Sequence, residues 1–171
     1  FNIDIDDLKR KIGPNSRILM LQHTFGLPAD IDQAKAICEQ NNMILIEDCA
    51  HSLGAEYGGI KVGTFGKASF FSFGRDKIIS SVWGGVVATN DDNLAKNIKD
   101  FQNNISQPSS YWILQQLLHP VLMYYIVLPL YNVLDLGKIF LVLSQWFNVL
   151  SKAVHRKEKK GIMPKCFPKR F

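Results

Sequence analysis

The sequence predicts an α/β fold built on a mostly parallel sheet, and three observations carry that prediction. Helix-like and strand-like segments alternate through the first hundred residues, the strand-like segments are nearly continuous apolar runs, and Gly, Pro and Asn clusters mark the joins. Strands of that composition need cover on both faces, which helices packed on either side of a parallel sheet provide.

The elements follow in order. Ile3–Ile12 has helical apolar spacing, with acids early and Lys9, Arg10 and Lys11 late, as the helix dipole favours; Gly13-Pro14-Asn15 stops it. Arg17–Gln22 is a short apolar run, expected as a buried strand. Gly26-Leu27-Pro28 turns the chain into a helix over Ile31–Gln40 with Asp30 as N-cap, and Asn41-Asn42 ends it. Met43–Glu47, Ala68–Phe73 and Gly85–Thr89 are expected as further strands, and Asp91–Phe101 as a helix capped by Asn90 or Asp91. Gly85–Thr89 should run antiparallel to Ala68–Phe73, because the connection is too short for a parallel crossover. There is no internal repeat.

After Phe101 the character changes. Between Phe101 and Leu134 there is no Asp, Glu, Lys or Arg; Asp135-Leu136-Gly137-Lys138 is expected as a turn, and Ile139–Leu150 is again apolar. A basic run, Lys152, Arg156, Lys157, Lys159 and Lys160, follows. The expected organisation is therefore a sheet-bearing core over 1–105, an apolar helical hairpin with a basic end over 106–160, and a loop or linker over 161–171.

Composition excludes several classes. Apolar residues make up 47% of the 171 and charged residues 20%, which argues against disorder. Three widely spaced cysteines form neither a disulfide framework nor a zinc pattern and point to a reducing, cytoplasmic setting; no metal is expected. Residues 1–100 carry 11 Lys/Arg against 13 Asp/Glu (net −2), whereas 101–171 carry 9 against 2 (net +7). A basic half suits nucleic acid or an anionic membrane surface, but no nucleic-acid-binding signature is present. The opening has no secretory pattern, and a chain beginning at Phe1 is expected to be a piece of a longer protein.

Ligands of open parallel sheets gather at the carboxyl ends of the strands. Asp48, His51, Ser72 and Lys77 fall there, bringing together a carboxylate, an imidazole, a hydroxyl and an amine. By residue type alone the same positions also suit a helix N-cap at Asp48, a cap or core histidine at His51, and a solvated loop lysine at Lys77.

Five segments sharpen this reading: Gln22-His23-Thr24-Phe25-Gly26-Leu27-Pro28-Ala29-Asp30, Ile46-Glu47-Asp48-Cys49-Ala50-His51-Ser52-Leu53-Gly54-Ala55, Gly63-Thr64-Phe65-Gly66, Phe71-Ser72-Phe73-Gly74-Arg75-Asp76-Lys77, and Gly84-Gly85-Val86-Val87-Ala88-Thr89-Asn90-Asp91-Asp92. In this order they resemble the DegT-type nucleotide-sugar aminotransferases, pyridoxal-phosphate enzymes of fold type I. The resemblance implies that the sheet belongs to the large domain of such a transferase, and that the cofactor is pyridoxal 5′-phosphate. Lys77 is similar to the lysine that holds it as a Schiff base and then serves as general base; Asp48 resembles the carboxylate paired with the pyridine nitrogen; His51 takes the Gln/His position at the phenolic oxygen; Ser72 matches the phosphate-binding hydroxyl. Relatives with histidine in place of the lysine carry out dehydration, so Lys77 implies amino transfer, typically from glutamate to a keto-sugar nucleotide in polysaccharide or aminosugar biosynthesis. Trp83 and the triplet Gly74-Arg75-Asp76 depart from the commonest family spelling. The family's phosphate loop, stacked aromatic residue and small domain lie outside this chain, which alone is expected to be inactive. The resemblance also implies a homodimer. The competing expectation is a non-catalytic relative that only binds.

The apolar segment stands in place of the family's usual continuation after Phe101 and is expected as an insertion, where the resemblance says least. Pro120 and Pro129 interrupt Tyr111–Leu134, and Ile139–Leu150 would span about 18 Å as a helix, short of a hydrocarbon core roughly 30 Å thick. Two helices lying in a membrane interface fit, with Trp112, Tyr124, Tyr125, Tyr131 and Trp146 at headgroup level and Lys152–Lys160 attracted to anionic lipid. So does a hairpin packed on a dimer partner.

Overall fold

The computed structural model describes residues 1–150; the basic run Lys152–Lys160 and the segment expected as a linker over 161–171 lie outside the described residues. The described chain divides into two compact units: Phe1–Ser80 with Gly84–Phe101, and Ser81–Trp83 with the described residues from Gln102.

The first unit runs α1 (Ile5–Lys11), β1 (Ile18–Gln22), a 3₁₀ turn (Thr24–Gly26), α2 (Ile31–Gln40), β2 (Ile44–Asp48), β3 (Glu56–Tyr57), β4 (Ile60–Lys61), β5 (Ala68–Ser72), β6 (Gly85–Ala88) and α3, which begins at Asp92 and ends at Asn103. The expected caps at Asp30 and Asp91 form, accepting the backbone N–H of Gln33 and Leu94 through their side chains, and Asp4 caps α1 in the same way through Asp7 N–H. The sheet order is β1-β2-β5-β6. β1, β2 and β5 are parallel, and β6 pairs antiparallel to β5, the orientation expected from the sequence. β3 and β4 form a separate hairpin that the reading above lacks; Gly58 and Gly59, both at positive φ, make its two-residue turn, so Gly58-Gly59 was the available signal.

Cover on both sheet faces is not what the described residues show. Leu19, Leu21 and Leu45 are buried on the face where α2 packs, with α1 against α2, whereas Ile18, Met20 and Ile44 on the other face are 56%, 57% and 47% exposed. The strands are apolar on both sides, but α1 and α2 lie together on one.

On the covered face sits a charged residue, Glu47, wholly buried. Its Oε1 accepts the backbone N–H of Phe65 and Gly66, each at 2.7 Å; Oε2 accepts Gly63 N–H at 2.7 Å and meets His23 Nε2 at 3.2 Å. His23, also fully buried, accepts Ala29 N–H at Nδ1 (3.1 Å), so its proton sits on Nε2 and is donated to Glu47. Burial pulls the Glu47 carboxyl upward, but the bonds from His23 and the three backbone amides prevail and hold it below its ordinary 4.5. The turn they close packs tightly: a Cβ on Gly66 would stand 2.8 Å from the Leu45 carbonyl, and one on Gly63 would lie 2.6 Å from the Phe71 ring.

The second unit holds α4 (Ser110–Leu122), a π-helical turn (Met123–Val127) and α5 (Leu136–Trp146). Ser109 caps α4 through its side chain. Pro120 lies inside α4 instead of ending it, and a wider i→i+5 bond, Leu128 N–H to Met123 O, follows at the end of the π-helical turn. The expected turn at Asp135–Lys138 is also revised: Leu136 already begins α5. Gly137 makes this possible, because its N–H reaches the Leu130 carbonyl at 2.9 Å and no side chain intervenes. Tyr111 Oη and Gln115 Nε2 both donate to the Asn148 carbonyl, tying the start of α4 to the residues after α5.

Two outcomes follow from this packing. Gly→Ala inside a helix ordinarily stabilises, but a Cβ on Gly137 would stand 2.3 Å from the Val127 carbonyl and 2.7 Å from Tyr131 N. Gly137→Ala should therefore destabilise by about 1–3 kcal/mol, read by denaturant unfolding. Because Glu47 is depressed, its contribution is complete above pH 4.5 and is lost as pH falls through the lower folded value. Unfolding measured from pH 7 to 3 should show a steeper acid loss for the natural protein than for Glu47→Gln.

Candidate functional site

β2 and β5 run parallel in a register that pairs Asp48 with Phe70, so the residues just beyond each strand emerge at one edge of the sheet. Side chains alternate along a strand, which places Asp48, Phe70 and Ser72 on one face and Glu47, Ser69 and Phe71 on the other. Asp48 and Lys77 thus share the carboxyl edge. This edge opens into a cavity of about 380 Å³, within the range of small-molecule sites. Lys77, Ser72 and His51 line it together with Phe25, Asp76 and Ile78. Asp48 is half-buried at the end of β2, its Oδ1 accepting Ala50 N–H at 3.0 Å, and is not among the lining residues.

Each group has a local cause. Lys77 N–H bonds to the Gly74 carbonyl at 3.1 Å, closing a turn that brings the side chain back to the strand end; the side chain is 14% exposed, with Nζ 3.4 Å from Asp76 Oδ2. Asp76 is held below the usual carboxylate range first by its own backbone N–H, then by the Lys77 and His51 charges. Ser72 Oγ lies 3.4 Å from Gly74 N. His51 Nδ1 is buried without a hydrogen-bond partner, and its ring stacks on Phe25 with centroids 5.7 Å apart at 14°.

Phe25 is a site residue that sequence reasoning missed. It takes a left-handed backbone (φ 55°) in the 3₁₀ turn, unusual for a bulky side chain. Asn2 pins that turn: Oδ1 accepts Thr24 N–H at 2.9 Å and Nδ2 donates to Leu27 and Pro28 carbonyls. Its available signal was position, in a recognised segment directly before Gly26. A lysine amine, a serine hydroxyl and a buried imidazole nitrogen lacking a partner, converging on one cavity, fit a small anionic carbonyl cofactor such as pyridoxal phosphate.

Residues 1–115 match the DegT/DnrJ/EryC1/StrS aminotransferase family. GDP-perosamine synthase of Vibrio cholerae is 36% identical over 111 residues, 64% of this chain and 30% of that enzyme. The structure of an aminotransferase involved in pseudoaminic acid biosynthesis in Helicobacter pylori superposes with a TM-score of 0.59 at 30% identity, over 64% of this chain and 30% of that one. An Escherichia coli GDP-4-keto-6-deoxy-D-mannose-3-dehydratase with bound hydrated pyridoxal phosphate matches at TM-score 0.54 and 28% identity, over 57% and 25%. The chain spans less than a third of the length of each. With the motif segments, the sheet and these matches in agreement over its first two thirds, the chain belongs to the DegT/DnrJ/EryC1/StrS aminotransferase family.

Proposed function

We propose that this chain is the cofactor-binding core of a pyridoxal-phosphate-dependent aminotransferase that moves an amino group, with glutamate as donor, onto a keto-sugar nucleotide for polysaccharide or aminosugar biosynthesis. The observation that supports it best is the convergence of Lys77, Ser72 and His51 on one cavity at the carboxyl edge shared with Asp48. Pyridoxal phosphate, when bound, supplies an electron sink for the charge left as a proton leaves the amino donor.

The chain's own residues contribute part of the remaining machinery. Lys77 offers the amine that holds the cofactor and afterwards moves the proton. Asp48 holds a proton on the pyridine nitrogen, Ser72 binds the phosphate, and His51 Nδ1 has a buried hydrogen-bonding atom to give the ring's phenolic oxygen. Asp76 keeps the Lys77 ammonium oriented before loading.

The whole protein is proposed to act as a cytoplasmic homodimer with peripheral contact at an anionic membrane face through residues 111–160. Among the described residues no helix is long and apolar enough to cross a membrane. Tyr124, Tyr125, Tyr131 and Trp146 are exposed as an interfacial belt would need, whereas Trp112 is half-buried, 6.1 Å from the Trp83 ring.

Adding pyridoxal phosphate to the full-length protein should produce visible absorbance that Lys77→Ala abolishes, with amino transfer falling on the order of 10²–10⁴-fold or more. Asp48→Asn should retain cofactor but lose on the order of 10²–10³-fold in rate. A natural protein without the absorbance leaves the non-catalytic reading. Flotation with anionic vesicles tests the membrane contact: the protein should float, and less so in high salt or with Lys152, Arg156, Lys157, Lys159 and Lys160 changed to Gln. Protein that stays at the bottom in low salt ends that proposal.

A further inference from the structure

Glu47 and His23 take no part in the chemistry proposed above, yet they form the most heavily hydrogen-bonded buried charge among the described residues. With Cys49 they present ligand atoms within 4.8 Å of one another, the separation of a metal site. The donors are already committed. His23 Nδ1 accepts Ala29 N–H and Nε2 carries its proton, each Glu47 oxygen takes two donors, and burial pushes the Cys49 thiol up to about 11. Both ring nitrogens of His23 and both oxygens of Glu47 are thus engaged within the fold, which gives the cluster a structural role.

Its geometry shows which one. Glu47 and Ser69 are register partners across β2 and β5. Both are fully buried and both grip the same turn, Glu47 through three backbone N–H groups and Ser69 Oγ through the Gly63 carbonyl at 2.7 Å. That turn leads directly into β5, and β5 carries Ser72 and the loop of Lys77. A slip of β5 by one residue would send Ser72 to the opposite face. We propose that Glu47 is a positioning residue: by clamping the Gly63–Gly66 turn it fixes the register of β5 on β2, and with it the placement of Ser72 and Lys77 relative to Asp48. The role rests on the site assignment proposed above. Only an acceptor on both oxygens serves, since Glu47→Gln would turn an amide N–H₂ toward donors on either side.

The test compares Glu47→Gln and Glu47→Asp in the full-length protein with Ile37→Ala, a core deletion in α2. Without cofactor, backbone hydrogen exchange should rise selectively from Gly63 to Lys77 in Glu47→Gln, and by less in Glu47→Asp. Ile37→Ala should raise it evenly, Leu19–Gln22 included. With pyridoxal phosphate, Glu47→Gln should bind more weakly, shift the pH midpoint of the visible absorbance, and lose on the order of 10²-fold in kcat. Ile37→Ala should lower Tm and leave the midpoint in place. An even rise in exchange in both Glu47 variants, an unmoved midpoint, or failure of both to fold would overturn the positioning role. A natural protein with no visible absorbance but a selective exchange change in Glu47→Gln would instead sink the assignment of Lys77 and leave the clamp standing.

Discussion

Glu47 brings a negative charge into the covered face of the sheet, and the fold tolerates it because both oxygens find two donors each. A buried carboxylate without such partners would cost several kcal/mol. The four donors come from distant parts of the chain. His23 follows β1 and links, through Ala29, to the start of α2; Gly63, Phe65 and Gly66 precede β5. One side chain thereby ties together three strands and a helix, and the glycines around it are fixed by contact with Leu45 and Phe71. The dependence is mutual: the turn has its shape because the carboxylate is there, and the carboxylate stays ionised because the turn supplies its N–H groups.

The opposite face of the same two strands carries the candidate site. Residue alternation means that Glu47 and Asp48, neighbours in sequence, face away from each other, one into the core and one toward the site face. A structural role and a proposed chemical role therefore occupy consecutive positions without competing for the same donors. Between β5 and β6 a local turn holds Lys77 near the strand end, where the Gly74 carbonyl accepts its N–H and Asp76 its ammonium. The Phe25 ring, held by a strained turn that Asn2 pins, closes over His51 and leaves its Nδ1 the one buried ring nitrogen of the cavity lining without a partner among the described residues.

The second unit follows a different logic. From Phe101 to Leu134 the chain carries no Asp, Glu, Lys or Arg, and its helices bury little: Val127, Gly137 and Ser144 lie inside while many of the Leu, Val and Tyr side chains stay exposed. Exposed apolar area on this scale is unusual for an unpartnered surface. Its internal order rests on backbone contact, with Gly137 against Val127 and Tyr131, and on the Asn148 carbonyl that receives Tyr111 and Gln115.

The sequence by itself determined the α/β class, four strands to within a residue or two at each end, α2 with its Asp30 cap, the antiparallel turn of β6, and the residues gathered at the carboxyl edge. Those features are written in local signals: apolar period, cap chemistry, loop length and motif spacing. Tertiary structure alone decided that α2 packs on the Leu19–Leu45 face while Ile18 and Met20 stay open, that Pro120 lies within a helix, that Leu136 starts one, and that Asp48 stops short of the cavity lining. It also decided that Glu47, which reads only as one member of a motif segment, is the fold's buried anchor. Its bonds span 16 to 24 residues, and no periodicity or propensity reports a hydrogen bond whose two ends meet only after the sheet has formed.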